Sequence, residues 1–243
     1  MPHKLQRLFV KSSLKGRGKV ELDTDHVHYL GNVLRLHEGE KLLVFNGKDG
    51  EWCAELGAVG KRRAELTLDH QTRPQEDGPD LHYLFAPLKR ARLDYMVEKA
   101  TEMGVARLRP VLTRRTVAER VNVERMRAHA IEAAEQCGIL RLPEVRAPEK
   151  LERAIAGWEA ARPIVFCDED SAESCPFTAL ARIPPGPVAV LIGPEGGFDP
   201  SERELLSSQP FVTRISLGPR ILRADTAAVA ALALVNAVLG DWR

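Results

Sequence analysis

The chain has little aromatic character: three Trp, three Tyr and seven Phe make up 5% of its 243 residues. Stacking of bases on an exposed aromatic platform is therefore not an expected device. The four cysteines, Cys53, Cys137, Cys167 and Cys175, lie far apart and form no CxxC pair. Neither a disulfide framework nor a zinc-type spacing can be read from them, and reduced thiols in a cytoplasmic protein are expected. Among seven histidines only His26 and His28 are close together, with no third ligand nearby, so no metal is expected. Long apolar runs are missing as well. The longest uncharged stretch, residues 226–240, falls short of the about 20 apolar residues that a membrane helix needs. Residues 1–19 hold no unbroken apolar core, so a secretory signal is not expected either.

What is present is an ordinary globular composition, 44% hydrophobic and 28% charged, long enough for one large domain or two smaller ones. The net charge of +1 conceals an uneven distribution. Residues 1–20 carry six Lys or Arg and no acid, and residues 89–127 carry eleven basic residues against five acidic ones. Such density attracts polyanions, unless acids that fold nearby balance it.

Residues 71–80, QTRPQEDGPD, are polar with two prolines and a glycine, a linker by composition. Before them the pattern is β-like. Residues 41–56 hold two strand-like runs around Asn-Gly and Asp-Gly, a hairpin signature, and residues 63–69 alternate with period two. Residues 26–36, with Val27, Leu30, Val33 and Leu34, predict a short helix. After the linker, strands are expected at residues 81–88, 105–113, 163–170, 188–193 and 211–218. Helices are expected at 92–103, 123–137, 149–161, 200–208 and 227–239, with Met126, Ala130, Ala133, Ala134 and Cys137 inward. This alternation implies an α/β fold with a parallel sheet covered on both faces, whose ligands sit beyond the carboxyl ends of the strands. The boundaries are residues 1–72 for a small β domain with a basic N-terminal arm, 73–80 for the linker and 81–243 for the α/β domain.

One strand end stands out in VAVLIGPEGGFDPSERELL, residues 188–206. Asp199, Pro200 and Glu202 form a capping-box pattern that starts a helix. The turn before it, Gly193-Pro194-Glu195-Gly196-Gly197, allows positive φ and close approach of a ligand to the backbone. It is neither G-x-G-x-x-G nor followed by Gly-Lys-Ser/Thr. Without a basic residue and with one carboxylate, it favours a neutral or cationic ligand over a phosphate. A second strand end, SLGPRILRADTAAVAAL at residues 216–232, turns at Gly-Pro and passes Arg220 and Arg223 to reach Asp225 and Thr226. The two turns could line one pocket from adjacent strands; Arg223 and Asp225 facing Glu195 could equally be a structural ion-pair cluster.

LIGPEGGF together with SLGPRILRADTA closely resembles the signature of the ribosomal RNA small subunit methyltransferase E family, of the SPOUT class. The resemblance covers nearly the whole chain. HYLGNVLRLHEGE resembles that family's PUA-like β-barrel segment, KRARLDYMVEKATEMGVARLRPVLTRRT resembles the first helix and strand of its catalytic domain, and EAAEQCG is similar to a further segment. The resemblance implies a trefoil-knotted parallel-sheet domain preceded by an RNA-binding PUA-like barrel. It implies transfer of the methyl group of S-adenosylmethionine to N3 of a uridine in 16S ribosomal RNA, within the 30S subunit and usually by a homodimer. Asp225 replaces the family's usual Glu, and Ile139 stands where Arg is common, with Arg141 the nearest substitute for the lost charge.

On this resemblance Gly193, Pro194, Glu195, Gly196, Gly197, Leu217, Gly218, Arg223 and Thr226 surround the cofactor, while Ile192, Ile221 and Leu222 pack its adenine. Arg223 is the candidate for stabilising charge on the base, with Glu195 and then Asp225 as proton acceptor. Arg7, Lys11, Arg17, Arg35, Lys89, Arg92, Arg114 and Arg115 are the candidate RNA contacts. A ribose 2′-O-methyltransferase and a non-catalytic RNA-binding assembly factor are the competing readings. Nucleoside mass spectrometry separates the first, and cofactor titration the second.

Overall fold

The computed structural model describes residues 5–16, 18–60, 63–117, 120–171 and 175–242. The chain divides into two compact units, Met1–Asp77 with Ala134–Leu142, and Gly78–Ala133 with Pro143–Arg243.

The first unit contains β1 (Arg7–Phe9), β2 (Lys19–Leu22), α1 (Thr24–His28), β3 (Lys41–Phe45), β4 (Glu51–Leu56) and β5 (Ala64–Arg73). The sheet order is β1-β3-β4-β5-β2, with β1 parallel to β3 and the other pairs antiparallel. Strands β1 and β2 arise inside the stretch read from sequence as a basic arm. In β2 the alternation of Val20 and Leu22 inward is the ordinary mark of a half-buried strand. Asp23 caps α1 by accepting from the amides of Asp25 and His26. The expected longer helix gives way to a π turn over Tyr29–Val33, which leaves Val33 58% exposed and puts Arg35 at φ 56°.

Arg7, expected to meet RNA, is buried instead. Its Nε donates to Glu51 Oε2 at 2.7 Å, its other nitrogens donate to the carbonyls of Ala134, Glu135 and Ile139, and its guanidinium lies 4.3 Å from the Phe45 ring centroid. The carbonyls of Ala134 and Glu135 belong to the last turn of a helix that ends at Cys137, where cations are favoured, and that of Ile139 lies just beyond it. Ile139 packs with Phe45, Ala134 and Leu140, and the Arg141 guanidinium donates to the Asp77 carbonyl, which leaves its charge unpaired by any acid among the described residues. Arg7→Lys keeps the charge and loses the planar fork. It is expected to cost about 2 kcal/mol of stability in urea unfolding, because buried acceptors are left unmet.

The second unit contains β6 (Leu81–Phe85), α2 (Arg90–Glu102), β7 (Arg107–Leu112), most of α3 (Val123–Cys137), β8 (Glu144–Val145), β9 (Glu149–Lys150) and α4 (Leu151–Ala156). It continues with β10 (Ile164–Cys167), α5 (Pro176–Leu180), β11 (Val188–Ile192), α6 (Pro200–Ser207), β12 (Val212–Ile215) and α7 (Ala224–Val238). The strands are parallel in the order β12-β10-β11-β6-β7-β8, with β9 beside β7. Every residue of β6 and β11 is buried, as two-sided parallel strands require. Tyr83, Phe85, Val190 and Ile192 face a core shared with α2, α5 and α7, whereas Leu84, Ala189 and Leu191 face one shared with α4 and α6.

Three expectations need correction. The helix predicted over 149–161 is only α4: residues 149–150 pair with β7, and after Gly157 Trp158 turns inward to donate to the Arg162 carbonyl. Cys137 is exposed, since α3 turns its last residue outward before Gly138 at φ 74°. Helix α7 begins at Ala224, three residues before the predicted start, which places Asp225 and Thr226 in its first turn.

His82 on β6 is 4% exposed, 3.4 Å from Asp80 and close to Arg162. Burial first, and Arg162 second, push its pKa down to about 3. The unfolded chain therefore binds a proton that the folded chain refuses, and this contribution to stability, complete above about pH 6.5, is lost as the pH falls toward 3. Between pH 7 and pH 4 the loss is on the order of 3 kcal/mol. His82→Leu is expected to flatten that part of the pH profile of urea midpoints.

Candidate active site

The carboxyl ends of β10, β11 and β12 surround a cavity of about 450 Å³, within the range of about 300–1,000 Å³ usual for small-molecule sites. The strand order corrects one expectation. The two turns read from the sequence leave non-adjacent strands, because β10 lies between β11 and β12 and pairs with both.

From β11 come Ile192, Gly193, Pro194, Glu195, Gly196 and Gly197. The turn closes with the Gly197 amide donating to the Pro194 carbonyl at 2.9 Å, and Gly197 has φ 68°, a conformation suited to glycine. Gly193 is required for space: a methyl group there would lie 2.5 Å from the Phe198 ring. The capping box forms as the sequence predicts, Asp199 accepting from the Ser201 amide while Glu202 accepts from the Asp199 amide. Its hydrogen bonds to Ser201 hold the Asp199 carboxyl below the usual range. Glu202 also accepts from the Arg114 amide at 2.8 Å, which ties the loop after β7 to this helix start.

From β12 come Leu217, Gly218, Ile221, Leu222 and Arg223. Gly218 turns the chain at φ 100°. Leu217 and Leu222 rest on the core beneath, whereas Ile221 is 97% exposed and stands free at the rim. Arg223 occupies the N-cap position of α7; its carbonyl accepts from the Ala227 amide, and its exposed guanidinium has no partner among the described residues. Asp225 and Thr226 do not line the cavity. The helix start carries them past it, and Asp225 Oδ1 accepts from the Thr226 amide.

Glu195 faces an arginine, but not Arg223: it pairs with Arg92 from the first turn of α2. Arg115 donates to the Gly196 carbonyl at 2.9 Å, and Arg114 lies 3.5 Å from Asp199. Arg92, Arg114 and Arg115 are thus gathered around one turn, and Lys89 is exposed just before α2. Lys11 and Arg35 are exposed in the first unit, and Arg17 lies outside the described residues.

The middle wall, Cys167, Asp168 and Glu169 at the end of β10, together with Phe198, Ser216 and Arg220, lies outside the residues expected from the sequence. The signal was the acidic run that closes PIVFCDED, read only as the end of a strand. Burial pushes the Cys167 thiol above its ordinary pKa, so it stays protonated. The Asp168 side chain is fully buried, with Arg214 at 2.7 Å and Arg203 at 3.3 Å. A second cavity next to α6 shares Glu169 and Phe198, but it is lined mainly by charged side chains such as Arg203 and Asp170 that are already paired.

The chain matches the model of an RNA methyltransferase domain over residues 75–236 and that of an RNA methyltransferase PUA domain over residues 22–69. Ribosomal RNA small subunit methyltransferase E of Rickettsia conorii is 33% identical, with 96% of each chain covered. The enzyme of the same name from Synechocystis is 32% identical over 90% of this chain and 73% of its own. A crystal structure of a ribosomal RNA small subunit methyltransferase E from Neisseria gonorrhoeae, bound to S-adenosyl methionine, is similar with a TM-score of 0.90 and 26% identity, covering 99% of this chain and 100% of that one. A three-strand cavity built on glycine turns, in a chain matched along almost its whole length, belongs to the ribosomal RNA small subunit methyltransferase E family.

Proposed function

We propose that this chain methylates N3 of a uridine in 16S ribosomal RNA of the small subunit, with S-adenosylmethionine as donor. The observation that carries the reading is the single cavity in which both glycine turns, Glu195 and Arg223 meet. Its residues fit the cofactor. The β11 turn offers glycine backbone for close approach, and Ile192, Leu217 and Leu222 offer apolar walls, a lining suited to an adenosine.

When bound, the cofactor supplies an activated methyl group, whose carbon–sulfur bond breaks with its electrons passing to sulfur as the bond to N3 forms. Uridine N3 carries a proton and is a poor nucleophile until it is lost. Glu195 accepts that proton, and Arg92, paired with it, orients the carboxylate. Arg223 donates to the flanking carbonyl oxygens, where negative charge develops. Asp225, the second candidate for the proton, is the weaker one because it lies outside the cavity lining. Ile192 and Leu222 form apolar walls, and exposed Ile221 becomes covered when adenine is present.

Arg114, Arg115, Arg92 and Lys89 place positive charge beside the same turn, where RNA phosphates would be held; Lys11 and Arg35 supply charge on the other unit. The target base reaches the cavity unstacked. The partly exposed side of α7, with Val229, Ala230, Ala233 and Leu234, provides an apolar seam for a homodimer. The family's trefoil knot and a cytoplasmic location belong to the same proposal; among the described residues no helix is long and apolar enough to cross a membrane.

The test is transfer of labelled methyl from S-adenosylmethionine to 30S subunits and to naked 16S RNA, followed by nucleoside mass spectrometry. 3-Methyluridine is the expected product. A 2′-O-methylated nucleoside, or no transfer to either substrate, overturns the proposal.

A further inference from the structure

Glu169 has no task in the chemistry described above, yet it stands in the wall between the two glycine turns. Its neighbour Asp168 is fully buried and held by Arg203 and Arg214. Glu169 is different: its side chain is 58% exposed, and it borders the cavity. One carboxylate oxygen, Oε1, accepts from Arg203 at 2.8 Å. The other, Oε2, has no partner among the described residues. The carboxylate is also pressed close to the β11 turn, since a methyl group on Gly197 would lie 3.2 Å from Oε1. Gly197 is called for by its backbone angle, and the Glu169 carboxylate lies beside it.

An acceptor anchored on one side and open on the other is preorganised for a donor in the cavity. In parallel α/β sheets, a carboxylate at a strand end beside a glycine turn is well placed to accept from a ribose. Arg203 is shared among Asp168, Glu169 and Asp170, so its bond to Oε1 fixes the direction of the carboxylate without occupying Oε2.

From these positions we infer that Glu169 accepts hydrogen bonds from the ribose hydroxyls of the adenosine ligand, and so is a specificity-determining residue of the cofactor site. The inference rests on the cofactor reading above. Binding, not turnover, tests it. The titrants are S-adenosylmethionine, S-adenosylhomocysteine and the analogue of the latter lacking both ribose hydroxyls, measured by calorimetry against the wild-type chain, Glu169→Gln and Glu169→Asp, with thermal melts to establish that each variant is folded. Wild type is expected to lose about ten- to a hundredfold in affinity when the hydroxyls are removed, and Glu169→Gln to lose a similar factor with the intact ligand. The analogue should then bind Glu169→Gln little worse than the intact ligand does. Glu169→Asp, with a retracted carboxylate, should fall between. Unchanged affinity in Glu169→Gln overturns the assignment, as do additive losses. A loss confined to S-adenosylmethionine and absent for S-adenosylhomocysteine would mean that the carboxylate reads the sulfonium charge, which also overturns it. If the wild-type chain binds neither compound, the cofactor reading itself falls, and this assignment with it.

Discussion

Replacing Arg223 with alanine lowers methyl transfer about a hundred- to a thousandfold, near 3–4 kcal/mol of transition-state stabilisation, while affinity for S-adenosylhomocysteine stays within a few-fold. That is the expected outcome, and the split between turnover and affinity follows from the position of the residue. Its backbone, at φ −65° and ψ 152°, already performs the helix-start role, with its carbonyl accepting from the Ala227 amide. Alanine keeps both. Removed is an exposed guanidinium that borders the cavity and pairs with nothing among the described residues, so the fold loses little. A donor held free in this way is available to an oxygen on which charge appears only as the proton leaves. Arg223→Lys retains charge without the planar fork and is expected to recover part of the rate. Single-turnover kinetics with saturating cofactor, set beside calorimetric affinities, decide the matter. A large affinity loss with the rate per bound complex unchanged would make Arg223 a cofactor-binding residue instead.

The second large effect is expected from Gly193→Ala. The added methyl group would lie 2.5 Å, 2.9 Å and 3.1 Å from three atoms of the Phe198 ring. Phe198 cannot simply swing away: it is 4% exposed and meets Phe166 edge-on, with centroids 5.0 Å apart. Relief has to come from shifting a core ring or from shifting the turn, and the cavity borders both. Overpacking of this kind costs about 1–3 kcal/mol of stability, and affinity for S-adenosylhomocysteine is expected to fall more than about a hundredfold, equivalent to roughly 2.7 kcal/mol. Trimming the obstacle in Gly193→Ala with Phe198→Leu should return part of both losses. Gly218→Ala is a useful contrast, because its methyl group would meet nothing within 4 Å and only the φ of 100° opposes it. If Gly193→Ala binds and melts like wild type, the steric account of this glycine is wrong.

These expectations were legible in the sequence to different degrees, and range along the chain explains the difference. The start of α6 could be read directly, since Asp199, Pro200 and Glu202 interact within one turn. The alternation of strands and helices was legible too, because β6 and β11 are continuous apolar runs and α2 has an apolar face. Arg7 could not be read correctly. Nothing local distinguishes a strand arginine with buried partners from one in a solvated arm, and its partners lie 44 and about 130 residues away. The pairing of Glu195 with Arg92 spans 103 residues and was equally hidden. The insertion of β10 between the two glycine turns was invisible for a related reason. Periodicity identifies strands but not their lateral order, so the acidic end of β10 could be seen without its place in the cavity being known.

That lateral order also bears on how the molecule comes into being. Strand β11 fills the space between β6 and β10, yet at least 187 residues precede it on a nascent chain. Until it emerges from the ribosome, β6 has one unpaired edge and β10, whose other partner β12 comes later still, has two, and the long apolar helix α7, which covers one face, is unmade. Exposed edges of this kind invite pairing with other chains. Translation that stops before residue 188 would therefore release an adhesive fragment rather than a smaller folded enzyme, and its disposal falls to chaperones and proteases.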